Sequence, residues 1–299
     1  MNTTQVRENH NLETRYFERM AASLGDKMKI IEALPPVTAD YSPTVLDVGA
    51  GGGEFSHALE ELGYTVTALD ASDDAILRMR EKFPELTTVH MLANESEALG
   101  NEYFDAIVCS SILHEVYSYG DNFRRKGDIT SLRAALEAFM KILKPGGVLV
   151  IRDGVKPEGW AQDAKVRMIP ADNVEPLRMY LDQCPFSNGF IFGPAGRLVQ
   201  LTEENDGWFT GNLQSVFEFY MTYNWGVDSY PRETQELFGV LTLDEYVAAL
   251  THIGFTVTKA ESWIQPGYLE HLPKKIEIIT AEGNNLWPDT NALWVARKN

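Results

Sequence analysis

The sequence predicts an α/β protein: a Rossmann-like open, mostly parallel seven-stranded sheet with helices on both faces, plus an inserted lid segment. Three observations predict it. Short apolar runs alternate with stretches of helical periodicity over about 110 residues, which is how βαβ units read in sequence. The first apolar run opens directly into a glycine-rich turn followed by a helix. The alternation breaks once, over 159–235, and then resumes.

Taken in order, residues 1–10 are polar, and apolar residues recur at helical spacing over 12–34 until Pro35-Pro36 stops them. Thr44–Val48 is a short apolar strand that runs into Gly49-Ala50-Gly51-Gly52-Gly53. A helix follows over 54–62, closed by Gly63. Strands are predicted at 65–70, 88–92 and 104–110, with a helix over 72–83 between the first two. The run at 104–110 is apolar enough to be central in a parallel sheet. A helix over 129–143 ends at Lys144-Pro145-Gly146-Gly147, and a fifth strand occupies 148–152. After the break come a helix over 242–252 and strands at 255–263 and 292–296. The organisation is thus an N-terminal helical segment (1–39), a core (40–158), an inserted lid or acceptor-binding segment (159–235) and a C-terminal completion of the sheet (236–299).

Composition narrows the function classes. With 44% hydrophobic and 23% charged residues, disordered and coiled-coil readings are out. Lys plus Arg number 26 against 43 Asp plus Glu, a formal charge of −17, so the surface repels a phosphate backbone and nucleic acid is not an expected partner. The one dense basic run, Arg124-Arg125-Lys126, reads as a solvated loop. Two cysteines, Cys109 and Cys184, are too few for a disulfide framework. The first twenty residues lack the apolar core of a signal peptide, and no run approaches membrane-span length. A cytoplasmic protein without membrane association is expected.

The glycine loop discriminates among ligands. Dinucleotide enzymes want G-x-G-x-x-G/A, but counting from Gly49 the third position is Glu54, hostile to a pyrophosphate at a helix N-terminus. No Gly-Lys-Ser/Thr follows, so a P-loop fails too. The ligand should carry no phosphate there.

The run Val45-Leu46-Asp47-Val48-Gly49-Ala50-Gly51-Gly52-Gly53 resembles the first motif of the class I S-adenosylmethionine-dependent methyltransferases. Asp70 matches that family's acidic residue at the end of the second strand, and Asn94-Glu95-Ser96-Glu97-Ala98-Leu99 resembles its Asp-Ala-Glu-x-Leu stretch. Tyr103-Phe104-Asp105-Ala106-Ile107-Val108 and Leu143-Lys144-Pro145-Gly146-Gly147 resemble the fourth-strand motif and the turn before the fifth. The resemblance covers roughly 40–155 and implies S-adenosyl-L-methionine as cofactor. It also implies roles. Asp47 would receive the ammonium group, and Gly49, Gly51 and Gly53 would let backbone approach the amino acid moiety. Asp70, with Ala71, would hold the ribose hydroxyls. Glu95, standing where Asp is usual, and Ser96 would meet the adenine, and Ser110 would lie at the tip of strand four. The minority reading of Asp47 is a buried acid pairing with the N-terminal helix, and a lone Asp70 would read as a helix N-cap or surface acid.

Because the donor is already activated, the protein mainly aligns it with an acceptor, and a base is needed only when the acceptor must lose a proton. His114 is the best single base, with Glu115 to orient it and Asp153 leaving strand five toward the cleft. The bland readings are that His114 packs or caps a short helix and that Asp153 forms a turn. Tyr117, Tyr220, Tyr223 and Arg232 are the expected acceptor contacts, although aromatics this dense serve equally as packing or as a dimer surface. A homo-oligomer stays open, and no metal is expected. The function this predicts is methyl transfer to a small-molecule acceptor at O, N or C. A macromolecular acceptor (protein or RNA) and a catalytically silent binding subunit are the other readings.

Overall fold

The computed structural model describes residues 27–120, 127–187 and 199–299. Most of the helix predicted over 12–34 and the whole of Arg124-Arg125-Lys126 lie outside the described residues; of the former, a short helix α1 (Met28–Ile31) is described.

The core alternates as its sequence does. β1 (Thr44–Val48) leads to α2 (Glu54–Glu61), β2 (Thr65–Asp70), α3 (Asp73–Lys82) and β3 (Thr87–His90). β4 (Phe104–Ser110) leads to α4 (Leu113–Tyr119), α5 (Ile129–Ile142) and β5 (Leu143–Gly154). Side chains fix the helix starts: Ser72 Oγ accepts the Ala75 N–H of α3, and an Asp128 carboxylate oxygen accepts the Thr130 N–H of α5 at 3.0 Å.

A second unit follows: β6 (Asp163–Met168), α6 (Glu175–Gln183), β7 (Leu201–Glu203), β8 (Phe209–Asn212), α7 (Leu213–Asn224) and α8 (Tyr230–Glu233). The chain then returns with α9 (Leu243–Ile253), β9 (Phe255–Trp263), β10 (Ile276–Thr280) and β11 (Asn291–Lys298). Thr242 and Glu245 close a capping box on α9.

The large sheet has the order β3-β2-β1-β4-β5-β11-β9. β1 to β5 pair in parallel, and β11 runs antiparallel to both β5 and β9. This is the expected mostly parallel seven-stranded sheet. Both faces are covered, as the unbroken apolar strands require. On one face Leu46, Ile107 and Cys109 pack against Phe139 and Tyr246. On the other Val45, Ala106 and Val108 pack against Phe55, Leu59 and Met79.

The second unit is a four-stranded antiparallel sheet, β10-β6-β8-β7, with its own core of Val166, Tyr180, Phe209, Phe217 and Ile278. Its edge strand β10 comes from 276–280, so the unit draws on chain beyond the expected 159–235. Without β10 one edge of β6 would present unpaired backbone groups. Strands of three to six residues are also too short for a legible alternation, which is why this stretch reads as scattered helix signals.

Candidate functional site

Strand order reverses between β1 and β4, where an open α/β sheet leaves a crevice at the strands' carboxyl ends. The glycine loop after β1 forms one wall. Gly49 has φ +72°, and a Cβ there would lie 2.4 Å from Cγ1 of Ile112, so only glycine fits the conformation and the space. Asp70 ends β2 with one carboxylate oxygen accepting the Gly51 N–H and the other the Ser72 N–H, both at 2.8 Å. Burial raises its pKa despite these donors. Asp47 is buried and accepts the Ser56 hydroxyl at 2.6 Å. Burial pushes its carboxyl up to about 6, against the pull of Ser56 and Lys27.

Beside this loop runs a groove of about 70 Å³ walled by Gly49, Asp70, Ala71, Leu92, Asn94 and Ile112. Apolar walls with one carboxylate at the end of β2 fit a nucleoside, whose base wants an apolar slot and whose vicinal hydroxyls want an acceptor. Two expected adenine contacts are placed elsewhere. Glu95 turns back so that its Oε2 lies 3.4 Å from the Leu92 N–H, capping the 3₁₀ turn Ala93–Leu99, and Ser96 is buried under that turn with its Oγ unpartnered. Asn94 takes their place in the wall. Gly51 and Gly53, at φ +58° and +84°, shape the loop.

A second cavity, of about 320 Å³, opens over the ends of β4 and β5. The chain leaves β4 through Ser111, a non-glycine residue at φ +57°, which Arg152 fastens by a 2.8 Å bond from Nη1 to Ser111 Oγ. That turn aims His114 and Glu115, in the first turn of α4, into the cavity. The His114 ring stacks on Phe238 with centroids 5.1 Å apart. Its Nδ1 is 2.6 Å from Asp153 Oδ1, and its Nε2 is 3.5 Å from Glu236 Oε2. Burial alone works against charge on the ring, but Asp153 and Glu236 overcome it and hold the imidazolium well above the usual histidine range. Burial likewise opposes ionisation of Asp153, yet His114 and backbone donors hold its carboxyl below the usual range. Glu115 and Glu233 go the other way, raised well above a normal glutamate by burial and by the other acids of the cluster. The Tyr119 hydroxyl donates to Glu236 at 2.7 Å.

The predicted catalytic trio His114, Glu115 and Asp153 therefore comes together in one cavity wall, with Ser110 beside it. The predicted acceptor residues do not. Tyr220 is buried and donates to the Pro288 carbonyl at 3.0 Å, while Tyr223 stacks on Phe219 with centroids 5.6 Å apart. Tyr117 packs against the second core, and Arg232 is absent from the wall. The wall is instead Met221, Asn224 and Trp225, plus Glu233 and Glu236. On α7 the difference is one of helix phase, since Tyr220 and Tyr223 each sit one position, about 100°, from the wall residues Met221 and Asn224. Glu233 and Glu236 were missed because a polar pair at that spacing reads as an exposed face until the fold buries it. Sequence spacing implies no metal site; in the fold, one ligand atom each from His114, Glu115 and Glu236 lies within 4.8 Å of the others. The separation of 121 positions from Glu115 to Glu236 hides that cluster from any spacing rule.

The reversed strand order, the glycine loop with its acid partner, and the adjoining second cavity define the class I S-adenosylmethionine-dependent methyltransferase fold. Residues 46–151 match the family model described as a methyltransferase domain. The chain is 33% identical over 116 residues to an uncharacterized methyltransferase of Synechocystis, covering 39% of this chain and 49% of that protein. It is 31% identical over 153 residues to a ubiquinone biosynthesis O-methyltransferase of Actinobacillus pleuropneumoniae, covering 44% and 60%. The chain thus spans about half the length of these curated relatives. A solved S-adenosylmethionine-dependent methyltransferase of Methanosarcina mazei shares the fold, with TM-score 0.50, 17% identity, and 90% and 96% of the two chains covered. Among the described residues, no helix is long and apolar enough to cross a membrane.

Proposed function

We propose that the protein is an S-adenosylmethionine-dependent methyltransferase acting on a small molecule held in the cavity over β4 and β5. One observation carries the reading: Glu115 lines both the groove beside the glycine loop and the second cavity, so the two spaces meet at one side chain. When bound, S-adenosylmethionine supplies a methyl group already activated on a sulfonium. Asp70 and Ala71 would hold its ribose, and Asp47 with the glycine loop its amino acid end.

The chain's own groups supply the rest. A cavity of about 320 Å³ is at the small end for ligand pockets and admits a compact acceptor. The second unit supplies Met221, Asn224 and Trp225 as its cover and excludes water from the acceptor. Glu236, His114 and Asp153 form a connected chain along one wall of that cavity, where they can orient an acceptor. The O-methyltransferase relative supports oxygen as the atom methylated. The test uses S-adenosylmethionine carrying a labelled methyl group, incubated with fractionated small metabolites. Label entering a low-mass fraction supports the proposal, whereas label entering only protein or RNA, or calorimetry that finds no binding of S-adenosylmethionine, would overturn it.

A further inference from the structure

We infer that the second cavity is a binding site for a divalent first-row transition-metal ion, held by His114 Nε2 and the carboxylates of Glu115 and Glu236. The inference rests on the methyl-transfer reading for the ion's use, though not for its binding.

The first support is geometric. Ligand atoms on opposite sides of an ion bound at about 2.0–2.2 Å stand about 4.0–4.4 Å apart. Here the three lie within 4.8 Å of one another, so small side-chain rotations close the set. The second is the orientation of the ring. Asp153 accepts N–H groups from Leu113 at 2.7 Å, His114 at 3.2 Å and Gly154 at 2.7 Å, and its Oδ1 also meets His114 Nδ1. An acceptor-only carboxylate fixes the proton on Nδ1 and points Nε2 into the cavity, the arrangement in which a carboxylate orients a metal-binding histidine.

A third, independent observation points to an occupant. Glu233 is 1% exposed, lines the same cavity, and has an Oε1 with no hydrogen-bond partner. Ser110, 6% exposed, lines it too with an unpartnered Oγ. Buried polar atoms are nearly always paired, and an ion with its bound water would supply what these two lack.

One imidazole and two carboxylates, without thiolate, suit Mn²⁺, Fe²⁺, Co²⁺ or Zn²⁺ rather than a soft ion. Three protein ligands leave positions for an acceptor oxygen, whose hydroxyl an ion makes more acidic.

The test titrates the full chain, stripped with a chelator, with Co²⁺ followed by its visible d–d absorption and with Mn²⁺ followed by electron paramagnetic resonance. The expected result is one saturable site per chain. Glu115→Gln and Glu236→Gln should each weaken it at least tenfold, and Asp153→Asn by about ten- to a hundredfold. Near-ultraviolet circular dichroism on each variant separates lost ligands from lost folding. No saturable binding at millimolar ion, or binding unchanged in both folded glutamine variants, would overturn the inference. Calorimetry with S-adenosylmethionine is run on the same samples. Ion binding without cofactor binding would remove the methyl-transfer reading and leave the ion site standing, and the reverse would remove the ion site alone.

Discussion

Asp153 holds His114 by ring and backbone together: its Oδ1 meets Nδ1 at 2.6 Å, while its Oδ2 accepts the His114 N–H at 3.2 Å. Oδ2 also accepts the Leu113 N–H at 2.7 Å, so one buried carboxylate tethers the start of α4 to the end of β5. An amide cannot reproduce this, because its NH₂ would face a donor. Asp153→Asn should therefore lower stability by about 1–3 kcal/mol in urea unfolding. The His114 ring should also titrate at lower pH by NMR. Unchanged stability and an unchanged ring titration would refute the tether.

Gly49 offers a test of the loop. Gly49→Ala places a side chain in left-handed backbone and drives its Cβ to 2.4 Å from Ile112. The left-handed conformation alone costs about 1–2 kcal/mol, and the overlap adds to it. Chemical denaturation should show the loss, and S-adenosylmethionine affinity should fall with it. Adding Ile112→Ala should recover part of the overlap, since the Ile112 Cβ would still lie 2.7 Å away, and none of the backbone part. Full recovery would mean that φ at residue 49 carries no strain.

For the donor, Asp70→Ala should weaken S-adenosylmethionine binding by about 1.5–3 kcal/mol in calorimetry, the scale for losing charged hydrogen bonds. Asp70 also holds Gly51 and Ser72, so part of the loss should come through the loop. Unchanged affinity would remove Asp70 from the ribose site.

How much of this was legible in sequence depended on periodicity and locality. The alternation that defines β1 to β5 is local, and Ala106–Cys109 of β4 is apolar on both faces. Asp70 was equally legible, because it lies a fixed distance after a glycine loop. His114, Glu115 and Asp153 could be found as residues just past strand tips. The acceptor wall could not. It depends on the phase of α7, which turns Met221, Asn224 and Trp225 inward and Tyr223 aside, and on Glu233 and Glu236 arriving from a distant segment. No property of those acids in sequence announces that they end up at 1% and 3% exposure.

Stability should depend on pH through Glu218. This fully buried residue accepts the N–H groups of Phe238 at 2.7 Å and Gly239 at 2.9 Å, yet burial still pushes its carboxyl up to about 7. The folded chain thus keeps a proton that the unfolded chain releases near the ordinary value of 4.5. Between those values the native state binds more protons, so stability falls as pH rises and levels off above about 7. Asp47, raised to about 6, adds in the same direction over a lower window. Urea melts of the chelator-treated chain from pH 4.5 to 8 should show this decline, by roughly 2–3 kcal/mol for Glu218. Glu218→Gln should flatten the slope while lowering stability overall, since its amide would face a backbone donor. A slope unchanged in that variant would assign the pH dependence to other acids.

The C-terminal end of α7 presents two different faces. Trp225 and Asn224 line the cavity, whereas Tyr223 stacks on Phe219 within the second unit. If the second unit selects the acceptor, Trp225→Ala removes apolar wall from the space the acceptor fills. Burying a side chain of that size against a ligand contributes about 1.5–3 kcal/mol, so the acceptor KM should rise roughly ten- to a hundredfold. The S-adenosylmethionine affinity should stay unchanged, because neither residue touches the donor groove. Tyr223→Ala should do the opposite: lower the melting temperature through lost stacking and leave the KM for acceptor near its original value. The acceptor for both measurements is the labelled small molecule recovered in the methyl-transfer screen. Light scattering on both variants adds a control. A smaller particle in either one would reveal a subunit interface on this helix, and equal KM effects at the two positions would show that the acceptor does not read the Met221–Trp225 face.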